Sequence, residues 1–345
     1  MAVVALTMDI DSLKVGYTDQ QLESLSKLGS RFEAGIAPWA AWESENSSFG
    51  KTLRKWALYP SFLPIFLSSD HGVHWESRCW PNELSSPYTF VSWNQKKSEK
   101  MRMVHQKRSY YIPHPWVHYR KKYYPTLPEN RKGTLVFFAH SNNTTSPKYS
   151  NLDGYIQDLK ELPEKYQPVV ICLSFHDIQK GLHKTLRKYE LPLVTVGTTN
   201  SQKFVDRFYS LISQFNFCTS PNIGSHTFYV IEAGIPFFLF GPYPEYHIKG
   251  SNAVNDGKQR LSDYGDDEDI ENFSELKALL STKTDSVTEQ QRKAVFRYLG
   301  MDSEISRHKA SWILWRELFF NTGKIPSLYI TKVIRLVKKI SNHLA

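Results

Sequence analysis

The sequence predicts an α/β fold of two Rossmann-like domains followed by a helical C-terminal segment. The chain of 345 residues has the length of about two domains, and its 41% of hydrophobic residues suffice to build their cores. In the second half, short and wholly apolar runs alternate with segments of helical periodicity. Such strands are typical of parallel sheets with helices on both faces.

The second half contains five apolar runs with the pattern of buried strands. They cover residues 133–141, 168–175, 191–197, 215–219 and 236–241. The segments between them carry apolar residues at helical spacing and are predicted as helices. They cover residues 151–162, 178–189, 203–214 and 224–233. Because right-handed crossovers bring the carboxyl ends of parallel strands to one edge, we expect ligands to bind there.

The first half is less regular, but it also contains predicted strands that alternate with a helix. Residues 64–69, 88–93 and 109–112 are predicted as strands, and residues 94–104 as a helix. Residues 113–132 are rich in proline, lysine, arginine and tyrosine, which favours an interdomain linker.

These patterns divide the chain into three regions. An N-terminal α/β domain is predicted at residues 1–125, a Rossmann-like domain at residues 126–265 and a helical extension at residues 266–345. The last region opens with the acidic run at residues 266–269, which is typical of a helix start.

The amino-acid composition indicates which binding partners and which cellular compartment to expect. The formal net charge of +9 favours an acidic partner, such as nucleotide phosphates, an anionic acceptor, lipid head groups or nucleic acid. Nucleic acid is the least expected of these, because no RNA-recognition signature is present. The three cysteines lack CxxC spacing, and neither a signal-peptide pattern nor an apolar run of roughly 20 residues is found. We therefore expect a cytoplasmic protein.

Neither a metal nor a bound cofactor is expected. There is no HExxH motif, and the one HxxxH pair, His114 and His118, has prolines on both sides of His114. No P-loop pattern is present, which argues against P-loop kinases and ATPases. No GxGxxG pattern follows a strand, which argues against dehydrogenases that bind NAD or FAD.

The strongest local signal is TSPNIGSHTFYVIEAGIPFFLFG at residues 219–241. Here a strand ends and a helix begins, so that backbone N–H groups and a partial positive charge face the ligand edge. Glycine permits close backbone approach, while hydroxyl and imidazole groups add donors to a phosphate. The phosphate-binding candidates are Ser220, Gly224, Ser225, His226 and Thr227. The structural alternative for Ser225 is an N-cap.

This layout resembles the donor-binding segment of GT-B glycosyltransferases of bacterial surface polysaccharides. Gly-Ser-His-Thr-Phe-Tyr followed by Glu-Ala-Gly-Ile-Pro-Phe-Phe is similar to the sialyltransferase-like members and to the polyol-phosphate transferases of teichoic acid synthesis. The resemblance covers residues 133–242 well and the first half at scattered points. It implies a GT-B-like fold, in which two Rossmann-like domains enclose a cleft, and a nucleotide sugar as co-substrate. Many such enzymes hold the ribose with a glutamate, but Glu232 lies too close to Gly234, and Tyr229 occupies the more usual place.

Two further strand ends carry histidines that could contact the donor phosphates. His176 closes the run VICLSFH and resembles the histidine of the His-Pro motif in these families, although Asp177 replaces the proline. An imidazole there could stabilise the departing nucleotide. The alternative is a helix-capping segment with Asp177 as the N-cap. His140 and Ser141, at the end of the preceding strand, are similar candidates.

The catalytic candidates come from the first half. Asp70-His71-Gly72 ends an apolar run and resembles the His-Gly segment of the polyol-phosphate transferases, in which the histidine faces the acceptor. An inverting transfer needs a base for the acceptor hydroxyl, with a pKa near the working pH. His71 is the predicted base, Asp70 orients or replaces it, and His74 and Glu76 are further candidates. The alternative is a strand-terminating turn.

Together with the resemblance, these residues predict transfer of a sugar from a nucleotide-sugar donor to a growing surface glycan or lipid-linked acceptor. A basic amphipathic helix predicted at residues 328–344 could contact an anionic membrane or pack on the protein body. Two alternatives stay open. One is a nucleotide-sugar epimerase of GT-B fold, and the other is a non-catalytic, membrane-associated module that binds nucleotides or nucleic acid.

Overall fold

A computed structural model of the protein describes residues 10–27, 44–70, 72–142, 145–248, 254–255 and 266–325. These residues form a mixed α/β structure with two parallel sheets and one small antiparallel sheet. The described strands, β1 to β11, are Leu67–Ser69, Thr89–Ser92, Ser109–Tyr111, Thr134–Phe137, Thr145–Lys148, Val169–Cys172, Leu193–Val194, Phe217–Ser220, Phe237–Leu239, Glu245–Ile248 and Val254–Asn255. The described α-helices, α1 to α14, are Ile10–Val15, Asp19–Lys27, Phe49–Ala57, Pro81–Ser85, Gln95–Met103, Pro115–Tyr123, Leu152–Lys160, Phe175–Gln179, Leu182–Leu186, Phe204–Ile212, Ser225–Glu232, Asp267–Leu280, Glu289–Tyr298 and Arg307–Asn321.

The larger sheet has five parallel strands in the order β7-β6-β4-β8-β9, which confirms the alternation predicted for the second half. Leu135 at its centre lies opposite Val170 on one side and Cys218 on the other. All three side chains are fully buried, as strands covered on both faces require. From β4 the chain passes to β6 and β7 on one side, and then to β8 and β9 on the other.

The predicted helices of this half are confirmed in three cases and wrong in one. α7, α10 and α11 lie within the predicted ranges. Residues 178–189 do not form one helix, because the chain forms α8, then α9, then a 3-10 turn at Arg187–Tyr189. Gly181 separates α8 from α9 with φ of +83°, a conformation that is incompatible with a continuous right-handed helix.

The smaller parallel sheet has the order β1-β2-β3, and its strands fall where the sequence predicts them. α5 packs against β2 and β3 and begins at Asn94, whose side chain accepts a hydrogen bond of 3.0 Å from the Lys97 backbone N–H. The sequence pattern therefore identifies this strand and helix unit correctly, and the structure adds that Asn94 is its N-cap.

The prediction of a linker at residues 113–132 is wrong in its first part, where the chain forms α6. Pro115 occupies the first helical position and the basic residues lie in the last turn, which are favourable places for both residue types. Trp116 is buried and stacks on Tyr229 of α11 with ring centroids 4.4 Å apart. α6 also packs on α3, so it is a core helix that contacts both halves of the described chain.

The remaining helices surround the two sheets. α1 and α2 precede the smaller sheet in sequence but pack on the larger one, where Tyr17 N donates to the Leu193 carbonyl across 2.8 Å. α12 begins at the N-cap Asp266, as the acidic run predicts, and α13 packs on α11. In the part of the chain that the structure describes, no helix is long and apolar enough to cross a membrane.

Candidate functional site

The carboxyl edge of the five-stranded sheet brings together polar residues from the loops that follow its three central strands, β6, β4 and β8. His140 and Ser141 follow β4, His176 follows β6, and Asn222 and His226 follow β8. Because β6 and β8 lie on opposite sides of β4, the chain reverses its direction of progress across the sheet at this point. Doubly wound sheets bind ligands in the crevice at such a topological switch point.

We refer to His140, His176, Asn222, His226 and the first turn of α11 as the switch-point site. His176 does not close β6, which ends at Cys172, but is the second residue of α8. The topology places His176 and His140 at one edge of the sheet with the start of α11, as the sequence predicts.

His140 influences both of the other imidazoles of the switch-point site. Burial lowers the pKa of His176, and the neighbouring His140 side chain lowers it further. Burial also lowers the pKa of His226 to about 3, again with a contribution from His140. The rings of His176 and His226 are therefore neutral at pH 7. An anion bound beside them would favour their protonation.

His226 is the most enclosed of the three rings. It stacks on Phe137 with centroids 4.6 Å apart, and its Nε2 atom is buried without a hydrogen-bond partner among the described residues. A β-carbon on Gly224 would lie only 2.9 Å from the His226 Cε1 atom. The small residue at position 224 therefore gives the imidazole its space beside the helix start.

The start of α11 differs from the expectation in its cap. The N-cap is Gly224, and Ser225 is the first residue inside the helix, so the interpretation of Ser225 as N-cap is wrong. Thr227 completes the cap instead, because its fully buried hydroxyl accepts from Gly224 N across 3.3 Å. Thr227 is thereby engaged within the protein.

Ser225 connects the two parallel sheets. Its hydroxyl accepts a hydrogen bond of 2.9 Å from the Val73 backbone N–H, in the loop that follows β1. The approach is close, since a β-carbon on Gly72 would lie 2.5 Å from Ser225 Oγ. The carboxyl edge of the smaller sheet therefore meets the helix start that borders the switch-point site.

Asp177 holds two loops of the site together. Its carboxylate accepts from the Ser141 backbone N–H at 2.9 Å and from the Ser174 hydroxyl at 2.6 Å. The N-cap of α8 is Ser174, so the alternative of Asp177 as a helix cap is wrong. The aspartate that stands in place of the proline thus links the loop after β4 to the loop after β6, and it orders His140 relative to His176.

The small antiparallel sheet that adjoins the site was not predicted from the sequence. Its order is β11-β10-β5, with Tyr246 opposite Pro147. The Tyr246 hydroxyl accepts from Asn222 Nδ2 across 3.2 Å, and Asn222 Oδ1 accepts from the Ser220 hydroxyl across 3.0 Å. These strands are short and polar, so no apolar run marks them; only the PNIG turn pointed to Asn222.

The two residues predicted for catalysis have different outcomes. His71 lies outside the described residues. Asp70 is buried and both of its carboxylate oxygens are engaged, one by the Ser92 hydroxyl at 2.5 Å and the other by Lys97 Nζ at 2.5 Å. Lys97 also contacts Glu83 at 2.7 Å, which makes a buried cluster of one lysine and two carboxylates. Burial opposes the charge of Lys97, but Asp70 and Glu83 outweigh it and raise the pKa of Lys97.

The loop that follows β1 also contains a histidine and carboxylate pair, His74 and Glu76. His74 Nδ1 is 3.3 Å from Glu76 Oε1. Burial alone would lower the pKa of His74, but the hydrogen bond and charge of Glu76 raise it above its ordinary value. His74 Nε2 would lie 3.7 Å from a β-carbon on Gly72, the residue next to the Ser225 contact. The pair therefore sits where the smaller sheet meets α11.

The structure also accounts for the residues at the expected ribose position. Glu232 forms an ion pair with Arg120, whose Nε lies 3.1 Å from Glu232 Oε2, so neither charge is available to a ligand. The Tyr229 hydroxyl is 2.9 Å from His114 Nε2, in the core. His114 itself is the N-cap of α6, and burial lowers its pKa to about 3.

Comparison with protein-family models, with curated proteins and with solved structures finds no match to this chain. Among the described residues, no group of three or more histidine, cysteine, aspartate and glutamate side chains could hold a metal ion.

Proposed function

We propose that the protein is a glycosyltransferase and that the phosphates of a nucleotide-sugar donor bind at the switch-point site. The placement of His140, His176 and the start of α11 at one edge of the five-stranded sheet is the observation that carries this proposal. Imidazole groups and the backbone N–H groups of a helix N-terminus are donors that suit a diphosphate. The overall charge of +9 is in keeping with an anionic co-substrate.

The histidines would act on the leaving group. An anion bound beside His176 would raise the pKa of its imidazole by direct charge interaction. Protonated imidazole would then stabilise the negative charge that develops on the departing phosphate. His226, which is neutral and enclosed, would shape the pocket beside Phe137 and could donate through its buried ring nitrogen after a small movement.

The proposed base is His74, oriented by Glu76. Glu76 orients the ring through Nδ1, and Nε2 would be the atom that takes the proton from the acceptor hydroxyl. In a direct displacement the acceptor oxygen attacks the anomeric carbon and its proton passes to Nε2. The bond to the phosphate oxygen breaks at the same time, and its electron pair leaves with the nucleotide.

We further propose that the two parallel sheets form the two halves of a GT-B arrangement. The hydrogen bond from Val73 to Ser225 supports this proposal, because it connects the carboxyl edge of one sheet to the helix start at the carboxyl edge of the other. Acceptor and donor would then approach each other between the two edges, with His74 on the acceptor side and His176 on the donor side.

We also propose that the protein associates peripherally with an anionic phospholipid surface from the cytoplasmic side, through one face of α14. Helical spacing places Lys309, Trp312, Arg316, Phe319 and Phe320 along one stripe. Phe319 is 73% exposed, Phe320 67% and Trp312 48%, and Lys309 Nζ lies 4.1 Å from the Trp312 ring centroid. Exposed aromatic rings interleaved with basic side chains match the interface of an anionic bilayer. The helix predicted at residues 328–344 lies outside the described residues.

The proposed function is tested by incubating the protein with UDP-, GDP- and CMP-activated sugars, with and without lipid-linked and oligosaccharide acceptors. We expect one donor to release free nucleotide in an acceptor-dependent manner. An isomerised nucleotide sugar without acceptor would instead establish the epimerase alternative. Nucleotide binding without release or isomerisation under any of these conditions would favour the non-catalytic module.

A further inference from the structure

A cavity of about 420 Å³ lies apart from the switch-point site, between the start of α5 and the helices α12 and α13. This volume falls within the range of about 300 to 1,000 Å³ that small-molecule sites occupy. Its lining includes Trp75, Glu99, Tyr111, Arg297 and Asp302. Nothing in the proposed donor site uses these side chains.

The charge of the cavity lining disfavours phosphate as the natural ligand. Its lining carries four carboxylates, from Glu99, Glu268, Asp269 and Asp302, against the two bases Lys96 and Arg297. Both bases are compensated within the protein. Lys96 Nζ contacts Glu268 at 2.9 Å and also Asp266, and Arg297 contacts Glu268 at 3.4 Å. An anion entering the cavity would therefore meet a net negative wall.

The aromatic side chains of the cavity are held in place by their own contacts. Trp75 stacks on Phe273 with ring centroids 4.6 Å apart. The Tyr111 hydroxyl donates to Asp302, and Trp93 Nε1 donates to the Gly72 carbonyl at 2.8 Å. Flat apolar faces are thus fixed beside carboxylate and amide groups, an arrangement in which little ordering is needed on binding.

We propose that this cavity binds a neutral saccharide. A sugar ring presents apolar C–H faces, which aromatic rings can cover, and an edge of hydroxyl groups, which donate to carboxylates and accept from amides. The cavity offers both kinds of surface. The carboxylates Glu99 and Asp302 are exposed at the cavity and accept from Gln95 and Tyr111, so each retains acceptor capacity for a ligand hydroxyl.

One residue of the cavity lining, Trp93, contacts the loop that carries the proposed base His74. Trp93 holds the carbonyl of Gly72, and the next residue, Val73, donates to Ser225 at the start of α11. A saccharide in the cavity would therefore lie against the loop that carries His74. Its identification as the acceptor rests on the proposed glycosyl transfer, whereas its binding does not.

The test is equilibrium binding of free saccharides to the full chain, without donor, by ligand-observed NMR. The probes are glucose, galactose, N-acetylglucosamine and their disaccharides, with glucuronic acid as the anionic counterpart of glucose. We expect at least one neutral saccharide to bind, and glucuronic acid to bind about tenfold more weakly than glucose or not at all. Asp302→Asn should weaken the binding of neutral saccharides by about fivefold, as the replacement of a charged hydrogen-bond acceptor by a neutral one implies.

Glu289→Gln is the matched control, because Glu289 is an exposed carboxylate on α13 outside the cavity and pairs with Lys293. Saccharide binding should be unchanged in it. The proposal is overturned if no neutral saccharide binds, if glucuronic acid binds as well as glucose, or if both Asp302→Asn and Trp75→Leu leave binding unaltered. Nucleotide titration of the same sample distinguishes the two proposals. Saccharide binding without nucleotide binding would contradict the proposed glycosyltransferase function but not the saccharide site.

Discussion

The backbone N–H of Val73 donates to the hydroxyl of Ser225 across 2.9 Å, and this bond joins the loop after β1 to the first turn of α11. Gly72 precedes the donor and His74 follows it, so the bond fixes the candidate base relative to the switch-point site. Ser225 was predicted as a phosphate ligand, but its hydroxyl already has a partner on the other sheet. Its principal effect should therefore be on the relative position of the two sheets.

Gly72→Ala tests this close approach. The added β-carbon would lie 2.5 Å from Ser225 Oγ, and such overpacking typically lowers the free energy of unfolding by about 1 to 3 kcal/mol. In a Ser225→Ala background the nearest remaining atom is His74 Nε2, at 3.7 Å, so the same substitution should then have little effect. Urea denaturation of the parent protein, the two single variants and the double variant measures the coupling between positions 72 and 225. Equal destabilisation of both backgrounds would contradict the contact.

Turnover should depend on His74 and, more weakly, on Glu76. We expect His74→Gln to lower kcat by about 10² to 10⁴ while the affinity for the nucleotide sugar stays unchanged, because a general base acts only in the transition state. Glu76→Gln should shift the acidic limb of the pH–rate profile to lower pH, since Glu76 raises the pKa of His74. His105→Gln, at an exposed position, is the control. Full turnover in His74→Gln would remove this residue from the mechanism.

Acid should destabilise the native state through His226. The native pKa of about 3 lies below the ordinary value of 6.5, so the unfolded chain binds a proton below pH 6.5 that the native protein does not. Stability contributed by the neutral ring is thus fully present above pH 6.5 and is lost as the pH falls from there towards 3. At pH 5 this loss amounts to about 2 kcal/mol.

His226→Phe should therefore flatten the dependence of the urea midpoint on pH between 7.5 and 5, since phenylalanine can keep the stacking on Phe137 without a titratable group. His105→Phe, at an exposed position, should leave the dependence as in the parent protein. An unchanged slope in His226→Phe would show that this ring titrates normally in the native state.

Vesicle binding should require both the aromatic rings and the charges of α14. We expect Phe319→Ala and Trp312→Ala each to weaken binding to vesicles that contain phosphatidylglycerol by about tenfold or more, given the apolar area they expose. Phe296→Ala on α13, which is 49% exposed and outside the stripe, is the matched control. Salt should weaken the binding. Equal binding to neutral phosphatidylcholine vesicles would contradict the proposed role of Lys309 and Arg316.

Elements with a strong local pattern were predictable from the sequence. Apolar runs such as the one around Leu135 identified every strand of the five-stranded sheet, because strands buried on both faces need no polar alternation. The starts of α5 and α12 were also predictable, the first from helical periodicity after residue 94 and the second from the acidic run that begins at Asp266. Helix α6 was not predictable from the sequence, because proline is as common in linkers as at the first position of a helix.

The candidate site was predictable only in part. Parallel topology requires His140, His176 and the start of α11 to share an edge, so their grouping followed from the strand pattern. The partners of individual side chains depend on long-range contacts that no local pattern encodes. Asp70 pairs with a lysine 27 positions later, and Ser225 pairs with a backbone amide 152 positions earlier. The preference for His74 over Asp70 as the base likewise rests on these contacts.

The most direct test of the central claim is nucleotide binding by thermal shift, with UDP, GDP, CMP and CDP against the parent protein, His176→Ala and Glu232→Gln. We expect one nucleotide to raise the apparent melting temperature, as a ligand of the native state must. The shift should be weakened in His176→Ala. It should persist in Glu232→Gln, because Glu232 belongs to the ion pair with Arg120. No shift with any nucleotide, or the same shift in His176→Ala, would contradict the assignment of the switch-point site as the donor site.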